Sequence, residues 1–198
     1  MIIGIVSFKG GVGKTTTAIH LAHSLNAKEP TALIDGDLNR SALAWLKRGE
    51  EHLPFKVFPE KQAAKVARDF SSLVFDTGAR PANDELKDLA EGCDRLVLVT
   101  SPDAMALDAL LPAVETLNKL KIENYRILLT MVPPVGNAGA DAREAITSAK
   151  LPLYRSSIRR FAAFQKASLR GLTVDQVSDP YAEEAWSDCI SFAKEVLK

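Results

Sequence analysis

Short runs of apolar residues alternate along the chain with longer amphipathic segments. The apolar runs predict strands at Ile2–Ser7, Thr31–Asp35, Phe55–Phe58, Leu73–Asp76, Arg95–Thr100, Arg126–Val132 and Leu153–Ser156. The segments between them predict helices at Lys14–Leu25, Ser41–Arg48, Lys61–Phe70, Asn83–Glu91, Ala104–Leu120, Ala138–Ala149, Phe161–Leu169 and Tyr181–Leu197. Near-continuous apolar strands separated by helices are typical of a parallel sheet covered on both faces. The pattern therefore predicts a doubly wound α/β fold.

In folds of this class, ligands bind at the edge of the sheet where the parallel strands end. The residues predicted at that edge are Phe8–Lys14, Asp35–Arg40, Asp76–Arg80, Ser101–Asp103 and Met131–Pro134. They include a glycine-rich segment and several carboxylates. We therefore expect the chemistry of the protein at this edge.

Composition limits the class of protein. The 198 residues predict a single domain over 1–198, and 46% hydrophobic with 25% charged residues are ordinary for a soluble globular chain. Cys93 and Cys189 are far apart and lack metal-ligand spacing, so a disulfide framework is not expected. The apolar runs are too short to cross a bilayer, and Met1–Val6 lacks the basic start of a signal peptide. These features predict a cytoplasmic protein.

The segment between the first strand and the first helix has the composition of a phosphate-binding loop. Its nucleotide-binding residues are predicted to be Gly10, Gly11, Val12, Gly13, Lys14, Thr15 and Thr16. Glycine lets main-chain N–H groups approach a polyphosphate, and the N-terminus of the following helix favours an anion. Lys14 supplies charge to the β- and γ-phosphates, and the Thr15 hydroxyl suits Mg²⁺. The loop therefore predicts ATP and Mg²⁺ as cofactors. Met131–Pro134, which follow a strand at the same edge of the sheet, are candidates for contact with the nucleotide base.

Two strands end in carboxylates near this loop. Asp35 and Asp37 flank Gly36, which is expected to begin a turn, so the two acids need not share one role. Asp76 ends an apolar strand, as a carboxylate that holds Mg²⁺ against phosphates does. Two structural alternatives stay open: Asp37 as the cap of the helix near Ser41, and Arg80 as either a catalytic or a surface arginine.

The loop departs from the standard pattern, because Phe8 stands where a further glycine is usual and Lys9 precedes the double glycine. It resembles the deviant Walker A motif of the ParA/MinD family of positioning ATPases, closest to the short ParA type without a preceding domain. The resemblance implies a P-loop ATPase in which Lys9 reaches across a dimer interface to the partner's nucleotide and acts with Lys14. It also implies that Asp37 activates the attacking water and that Asp35 lies near the metal with Thr15 and Asp76. The family's usual Asp-x-Asp-Pro-Gln is here Asp35-Gly36-Asp37-Leu38-Asn39.

Charge is unevenly distributed although the formal net charge is zero. Residues 155–170 contain no acidic residue, and the candidates for DNA contact are Arg159, Arg160, Lys166 and Arg170. If this segment is helical, Arg159, Lys166 and Arg170 fall within about 40° of one another. Such a cluster either holds DNA phosphates without reading sequence or is an ordinary solvated face.

The resemblance implies a homodimer with ATP between its protomers, nonspecific binding to nucleoid DNA, and a cargo-bound partner that stimulates hydrolysis. The cargo is a plasmid, a chromosome region or a protein body such as a carboxysome. A MinD-like membrane cycle is the first alternative, but residues 171–198 hold six acids against two lysines, so no stable membrane anchor is expected. A metabolic or cluster-carrying relative of the same fold is the second, although Cys93 and Cys189 do not form that group's bridging pair.

Overall fold

The computed structural model describes residues 1–50 and 52–198. A seven-stranded sheet runs through the molecule. Its strands are β1 (Ile2–Ser7), β2 (Thr31–Asp35), β3 (Lys56–Pro59), β4 (Ser72–Ala79), β5 (Arg95–Thr100), β6 (Tyr125–Val132) and β7 (Leu153–Arg159). The helices among the described residues are α1 (Lys14–Asn26), α2 (Ser41–Arg48), α3 (Ala63–Val66), α4 (Asn83–Gly92), α5 (Ala104–Lys119), α6 (Ala138–Ser148), α7 (Ala162–Arg170) and α8 (Ala182–Val196).

The strand order is β3-β2-β4-β1-β5-β6-β7, and every neighbouring pair is parallel. From β1, the sheet continues through β5, β6 and β7 on one side and through β4, β2 and β3 on the other. The predicted doubly wound parallel sheet is therefore confirmed. The register places Asp35, the last residue of β2, directly beside Asp76 of β4, so the two acids meet near one edge of the sheet.

Helices cover both faces of the sheet. On one face α1, α2, α7 and α8 bury residues such as Ile19, Trp45, Ala167 and Phe192 against the strands. On the other face α4, α5 and α6 bury a second apolar layer that includes Leu86 and Leu110. The central strands are apolar on both sides because both of their faces are covered. No helix in residues 1–50 and 52–198 is long and apolar enough to cross a membrane.

Strand β4 continues to Ala79, three residues beyond its predicted end at Asp76. Two further predicted elements differ from the structure. The helix predicted at Lys61–Phe70 is only the short α3, with a 3₁₀ turn before it (Glu60–Gln62) and another after it (Ala67–Asp69). Strand β7 continues to Arg159, three residues beyond its predicted end, and α7 begins at Ala162. The extension of β7 changes the placement of the basic residues.

Candidate nucleotide-binding site

The loop between β1 and α1 is open and conformationally specialised. Gly11 and Gly13 have φ values of 79° and 86°, in the left-handed region that favours glycine. A Cβ added at Gly10 or Gly11 would meet nothing within 4 Å. Gly13 precedes α1 and no side chain caps it, so the first N–H groups of the helix are not bonded to a capping side chain. This geometry suits main-chain binding of an anion.

Four side chains come together beside this loop. The Lys14 ammonium lies 2.7 Å from Oδ1 of Asp76 and 3.5 Å from Oδ2 of Asp37. The Thr15 hydroxyl donates to Oδ2 of Asp76 at 2.7 Å. Lys14, Asp37 and Asp76 are buried, with exposed fractions of 7%, 9% and 0%. The structure therefore brings the predicted lysine, hydroxyl and two carboxylates into one cluster.

Burial raises the pKa of the Asp76 carboxyl above its ordinary value, and the Lys14 ammonium opposes that shift. The nearby Asp35 carboxylate adds to the increase. A buried carboxylate near a second acid is stabilised in its charged form by a cation. In this cluster Lys14 supplies that cation, and the same oxygen atoms are hard ligands of the kind that Mg²⁺ prefers.

Asp35 and Asp37 play different structural roles. Asp35 accepts hydrogen bonds from the main-chain N–H of Asp37 at 3.1 Å and of Leu43 at 2.9 Å. It therefore caps the first turn of α2, the role that one alternative gave to Asp37. Asp37 instead accepts from the N–H of Asn39 with one oxygen and faces Lys14 with the other. Both carboxylate oxygens of Asp35 are bonded to main-chain N–H groups. The position near a metal that the resemblance implies for Asp35 stays a prediction.

Lys9 lies at the rim of the loop. Its ammonium is 2.5 Å from Oδ1 of Asp103, with side chains that are 29% and 48% exposed. Asp103 also accepts from the Ser101 hydroxyl and caps α5 through the N–H of Ala106 at 3.0 Å. The Lys9 ammonium, followed by the Ser101 hydroxyl, lowers the pKa of the Asp103 carboxyl. The sequence predicts Ser101–Asp103 at the correct edge of the sheet, but no sequence pattern predicts that Lys9 pairs with Asp103.

A cleft of about 880 Å³ extends away from the loop. Thr130 and Met131 at the end of β6 line it, together with Trp45 of α2 and with Arg160, Phe161 and Phe164 before and in α7. This volume is in the range of pockets that bind small molecules and cofactors. Met131 is thus the residue of the candidate base-contact loop that reaches the cleft. The aromatic residues from α2 and α7 are a contribution that the sequence did not reveal.

Arg80 and His20 both form hydrogen bonds to main-chain atoms near the site. The Arg80 side chain donates to the carbonyl oxygen of Phe8 at 3.0 Å, which ties the end of β4 to the phosphate loop. His20 is fully buried and bonds through Nδ1 to the Thr16 carbonyl oxygen, while its Nε2 accepts from the N–H of Val174. Burial lowers the pKa of His20 to about 4, so the ring is neutral at pH 7.

The single basic face expected for residues 157–170 is wrong, because Arg159 lies in β7 rather than on the helix. Its guanidinium forms two 2.9 Å hydrogen bonds to the Asp188 carboxylate of α8. Lys166 is on α7, but its ammonium is 2.6 Å from Asp179. Arg160 and Arg170 are exposed, and no ion pair to either is found within the part of the chain that the structure describes. The four residues are thus distributed over a strand, a loop and a helix.

Comparison with known proteins gives consistent matches. The family model of the CobQ/CobB/MinD/ParA nucleotide binding domain matches residues 3–174. The chain is 32% identical over 202 residues to the "Maintenance of carboxysome distribution protein A" of Gloeobacter kilaueensis, which covers 98% of this chain and 93% of that protein. A chain of the MinC:MinD cell division protein complex from Aquifex aeolicus has a TM-score of 0.76 at 16% identity, covering 99% of this chain and 95% of that one. A putative plasmid partition protein from Borrelia burgdorferi bound to AMPPNP has a TM-score of 0.72 at 18% identity, covering 98% of both chains.

The two structural matches, at 16% and 18% identity, show the fold. The family match extends over most of the chain and includes Lys9, Asp37 and Asp76. The expected relationship to ParA and MinD is therefore confirmed. The chain belongs to the CobQ/CobB/MinD/ParA family of nucleotide-binding proteins.

Proposed function

We propose that this chain is a positioning ATPase that binds ATP and Mg²⁺ at the loop between β1 and α1. Its hydrolysis is slow until a partner protein stimulates it. The observation that carries the proposal is the cluster of Lys14, Thr15, Asp37 and Asp76 beside an open glycine-rich loop. Family membership supports the same activity.

The residues present fit a triphosphate and a magnesium ion. The open space at Gly10 and Gly11 lets main-chain N–H groups approach phosphate oxygens. The Thr15 hydroxyl and the Asp76 carboxylate supply hard oxygen ligands. Within residues 1–50 and 52–198, no three His, Cys, Asp or Glu side chains gather as a metal-binding group. That agrees with Mg²⁺, which usually takes one or two protein ligands together with phosphate oxygens and waters.

Bound ATP supplies the phosphoanhydride bond, and its Mg²⁺ neutralises charge on the phosphates. Lys14 binds phosphate oxygens through an ammonium that Asp76 holds beside the loop at 2.7 Å. Asp37 orients a water molecule and accepts its proton. Asp35 positions Asp37 by accepting the hydrogen bond from its N–H. The chain's own contribution to hydrolysis is thus mainly to position groups and to stabilise charge.

The proposed active form is a homodimer with ATP between the protomers. Lys9 is partly exposed at the rim of the site and is available to a facing protomer once it leaves Asp103. In that position its ammonium neutralises charge that develops on the partner's phosphates, as an arginine finger does in other enzymes. Leu38, which is 94% exposed in the loop after Asp37, adds apolar surface at the same rim.

The proposed partner of the ATP-bound dimer is duplex DNA, which is bound without sequence preference through phosphate contacts. Arg160, Lys166 and Arg170 are exposed and suit this role. Arg159 is committed to Asp188 and acts in folding. The cargo is a plasmid, a chromosome region or a protein body such as a carboxysome, and the name of the Gloeobacter relative favours the last. The proposed location is the nucleoid in the cytoplasm.

The decisive test removes the proposed water-positioning carboxylate. Asp37→Ala is expected to retain ATP, to accumulate as a dimer and to bind duplex DNA at low salt. Lys14→Ala is the matched control, because it removes phosphate binding and should remain monomeric with ATP. The measurement is light scattering with and without ATP, followed by DNA binding. A monomeric Asp37→Ala protein that still binds ATP would contradict the two-protomer mechanism.

A MinD-like membrane cycle is disfavoured by the packing of the last helix. The apolar residues of α8, including Cys189, Phe192 and Val196, are buried against the sheet and α1. An amphipathic anchor needs a free apolar face and favours basic residues. Sedimentation with anionic vesicles and ATP tests the alternative, and we expect the protein to stay in the supernatant.

A further inference from the structure

The main chains of α2 and α7 meet at a pair of glycines. A Cβ added at Gly171 would lie closer than 3.0 Å to the main-chain nitrogen of Gly49, and one added at Gly49 would overlap the carbonyl of Gly171. Gly171 also has a φ of 66°. Two hydrogen bonds join the same elements: Trp45 Nε1 donates to the Leu172 carbonyl at 3.0 Å and Arg48 Nε donates to the Ser168 carbonyl at 2.7 Å. The two helices are therefore joined by main-chain contact as well as by side chains.

The other end of α2 is tied to the phosphate site. Asp35 caps the first turn of α2 through the N–H of Leu43, and the Arg40 guanidinium donates to the Asp35 carbonyl at 3.0 Å. The N–H of Arg40 also donates to the Asp37 carbonyl at 2.9 Å. Any change of the Asp35–Arg40 loop on binding the γ-phosphate therefore acts directly on α2.

His20 ties α7 to the phosphate loop by a second route. It lies on α1, whose first residues form the phosphate site, and its ring packs edge-on against Trp45 of α2 and Phe164 of α7. Its Nε2 accepts from the N–H of Val174, in the segment that follows α7, at 2.9 Å. Because the His20 side chain is fully buried and tightly packed between these helices, small shifts of α1 or α2 are transmitted to α7.

The outer surface of this pair of helices is cationic. Lys47 and Arg48 on α2 and Lys166 and Arg170 on α7 are exposed, and neither helix contains an acidic residue. Glu50 follows α2, and Asp179 lies 2.6 Å from the Lys166 ammonium, so DNA phosphates compete with Asp179 for Lys166. Cationic side chains on neighbouring elements bind a nucleic-acid backbone by releasing its counterions. The surface is thus wider than α7 alone and includes the last two residues of α2, the helix that follows the loop containing Asp37.

We propose that α2 and α7 act as one rigid unit that presents a binding surface for duplex DNA and couples it to the nucleotide state of the Asp35–Arg40 loop. This inference rests on the proposed function, which supplies DNA as the partner. It adds Lys47 and Arg48 to the surface and makes the Gly49–Gly171 contact the coupling element. Coupling between two sites typically changes affinity about 5- to 150-fold.

The test disrupts the contact between α2 and α7 without changing a residue of the phosphate-binding loop. In Gly171→Ala, the added methyl group clashes with Gly49, and the ATP-induced gain in DNA affinity should fall from about 5- to 150-fold toward one. Gly136→Ala is the matched control, because Gly136 also has a positive φ, of 93°, but nothing lies within 4 Å of its Cβ position. If Gly171→Ala does not fold, Trp45→Phe removes the hydrogen bond to Leu172 together with part of the buried ring and should reduce the same gain. ATP affinity and thermal stability are measured for every variant.

Hydrogen exchange distinguishes failure of the unit from failure of the proposed function. If wild-type protein with ATP binds no duplex DNA, the proposed partner is wrong, and the unit is then tested by amide exchange alone. ATP should change the protection of residues 162–170 in the wild type and in Gly136→Ala but not in Gly171→Ala. A folded Gly171→Ala protein whose DNA affinity and α7 exchange respond to ATP as the wild type does would overturn the inference.

Discussion

Asp103 holds Lys9 within its own protomer, so the contact competes with the proposed action of Lys9 on a partner. Asp103→Asn removes the opposite charge but retains an oxygen that accepts from the N–H of Ala106, and asparagine is as good a helix cap as aspartate. The substitution therefore frees Lys9 without unwinding α5. We expect the ATP-dependent dimer to become tighter.

The size of the effect follows from the exposure of the pair. With side chains 29% and 48% exposed, the Lys9–Asp103 interaction belongs to the class of surface ion pairs, which contribute about 0.2–1 kcal/mol. Two such contacts break when one dimer forms, which gives about 0.4–2 kcal/mol, or about a 2- to 30-fold lower dissociation constant. High salt should reduce the difference, because exposed charges are screened.

The assay is sedimentation equilibrium with a non-hydrolysable ATP analogue, which separates dimer formation from turnover. Asp108→Asn is the matched control, because Asp108 is an exposed acid of the same helix and makes no ion pair within the described residues. Its dimer should match the wild type. Combining Asp103→Asn with Lys9→Ala should remove the gain. A dimer that is unchanged or weaker in Asp103→Asn would refute the competition.

Three further outcomes are expected. Lys9→Ala should bind ATP as the wild type does but dimerise or hydrolyse more weakly, and equal hydrolysis rates would exclude its action on the partner's nucleotide. His20 has a pKa lowered from 6.5 to about 4, so it contributes stability above pH 6.5 that is lost as the pH falls toward 4. That loss is up to about 3 kcal/mol and should be smaller in His20→Gln, as measured by urea unfolding at several pH values. Arg159→Ala should lower the melting temperature by about 2–4 °C by losing Asp188, while Arg160→Ala should weaken DNA binding at unchanged stability, and the opposite pattern would contradict this assignment.

The fold follows from local signals in the sequence, whereas its exceptions depend on distant contacts. The alternation of apolar runs and amphipathic segments predicts the parallel sheet because both faces of the strands are buried. The extra length of β7 up to Arg159 could not be predicted, because the N–H of Arg159 is bonded to Asp188 of α8, which is distant in sequence. The helix predicted at Lys61–Phe70 is longer than the helix in the structure. Its amphipathic composition does not determine where 3₁₀ turns replace α-helix.

The features of the site likewise divide into those that local sequence predicts and those that depend on contacts distant in sequence. The glycine-rich loop and its Lys14 are contiguous in sequence, so their geometry follows from local chemistry. The meeting of Lys14 with Asp76 follows once the parallel topology is predicted, because both lie at the same edge of the sheet. The pairing of Lys9 with Asp103 depends on side-chain reach between two loops, and no spacing in the sequence encodes it. Trp45 and Phe164 were likewise missed, because their position beside the cleft requires the packing of α2 on α7.

The carboxylates of α8 that cover β7 affect how readily the edge of the sheet can pair with another copy of the chain. An edge strand with free N–H groups is a template for pairing with another chain, which leads to aggregation. Here Glu195 accepts from the N–H groups of Arg155 and Ser156, and Asp188 accepts from that of Arg159. At the opposite edge, β3 has only four residues and ends at Pro59. Both borders of the sheet are thus protected from strand addition, which disfavours the irreversible edge-to-edge association that forms amyloid-like fibres even at high local protein concentration.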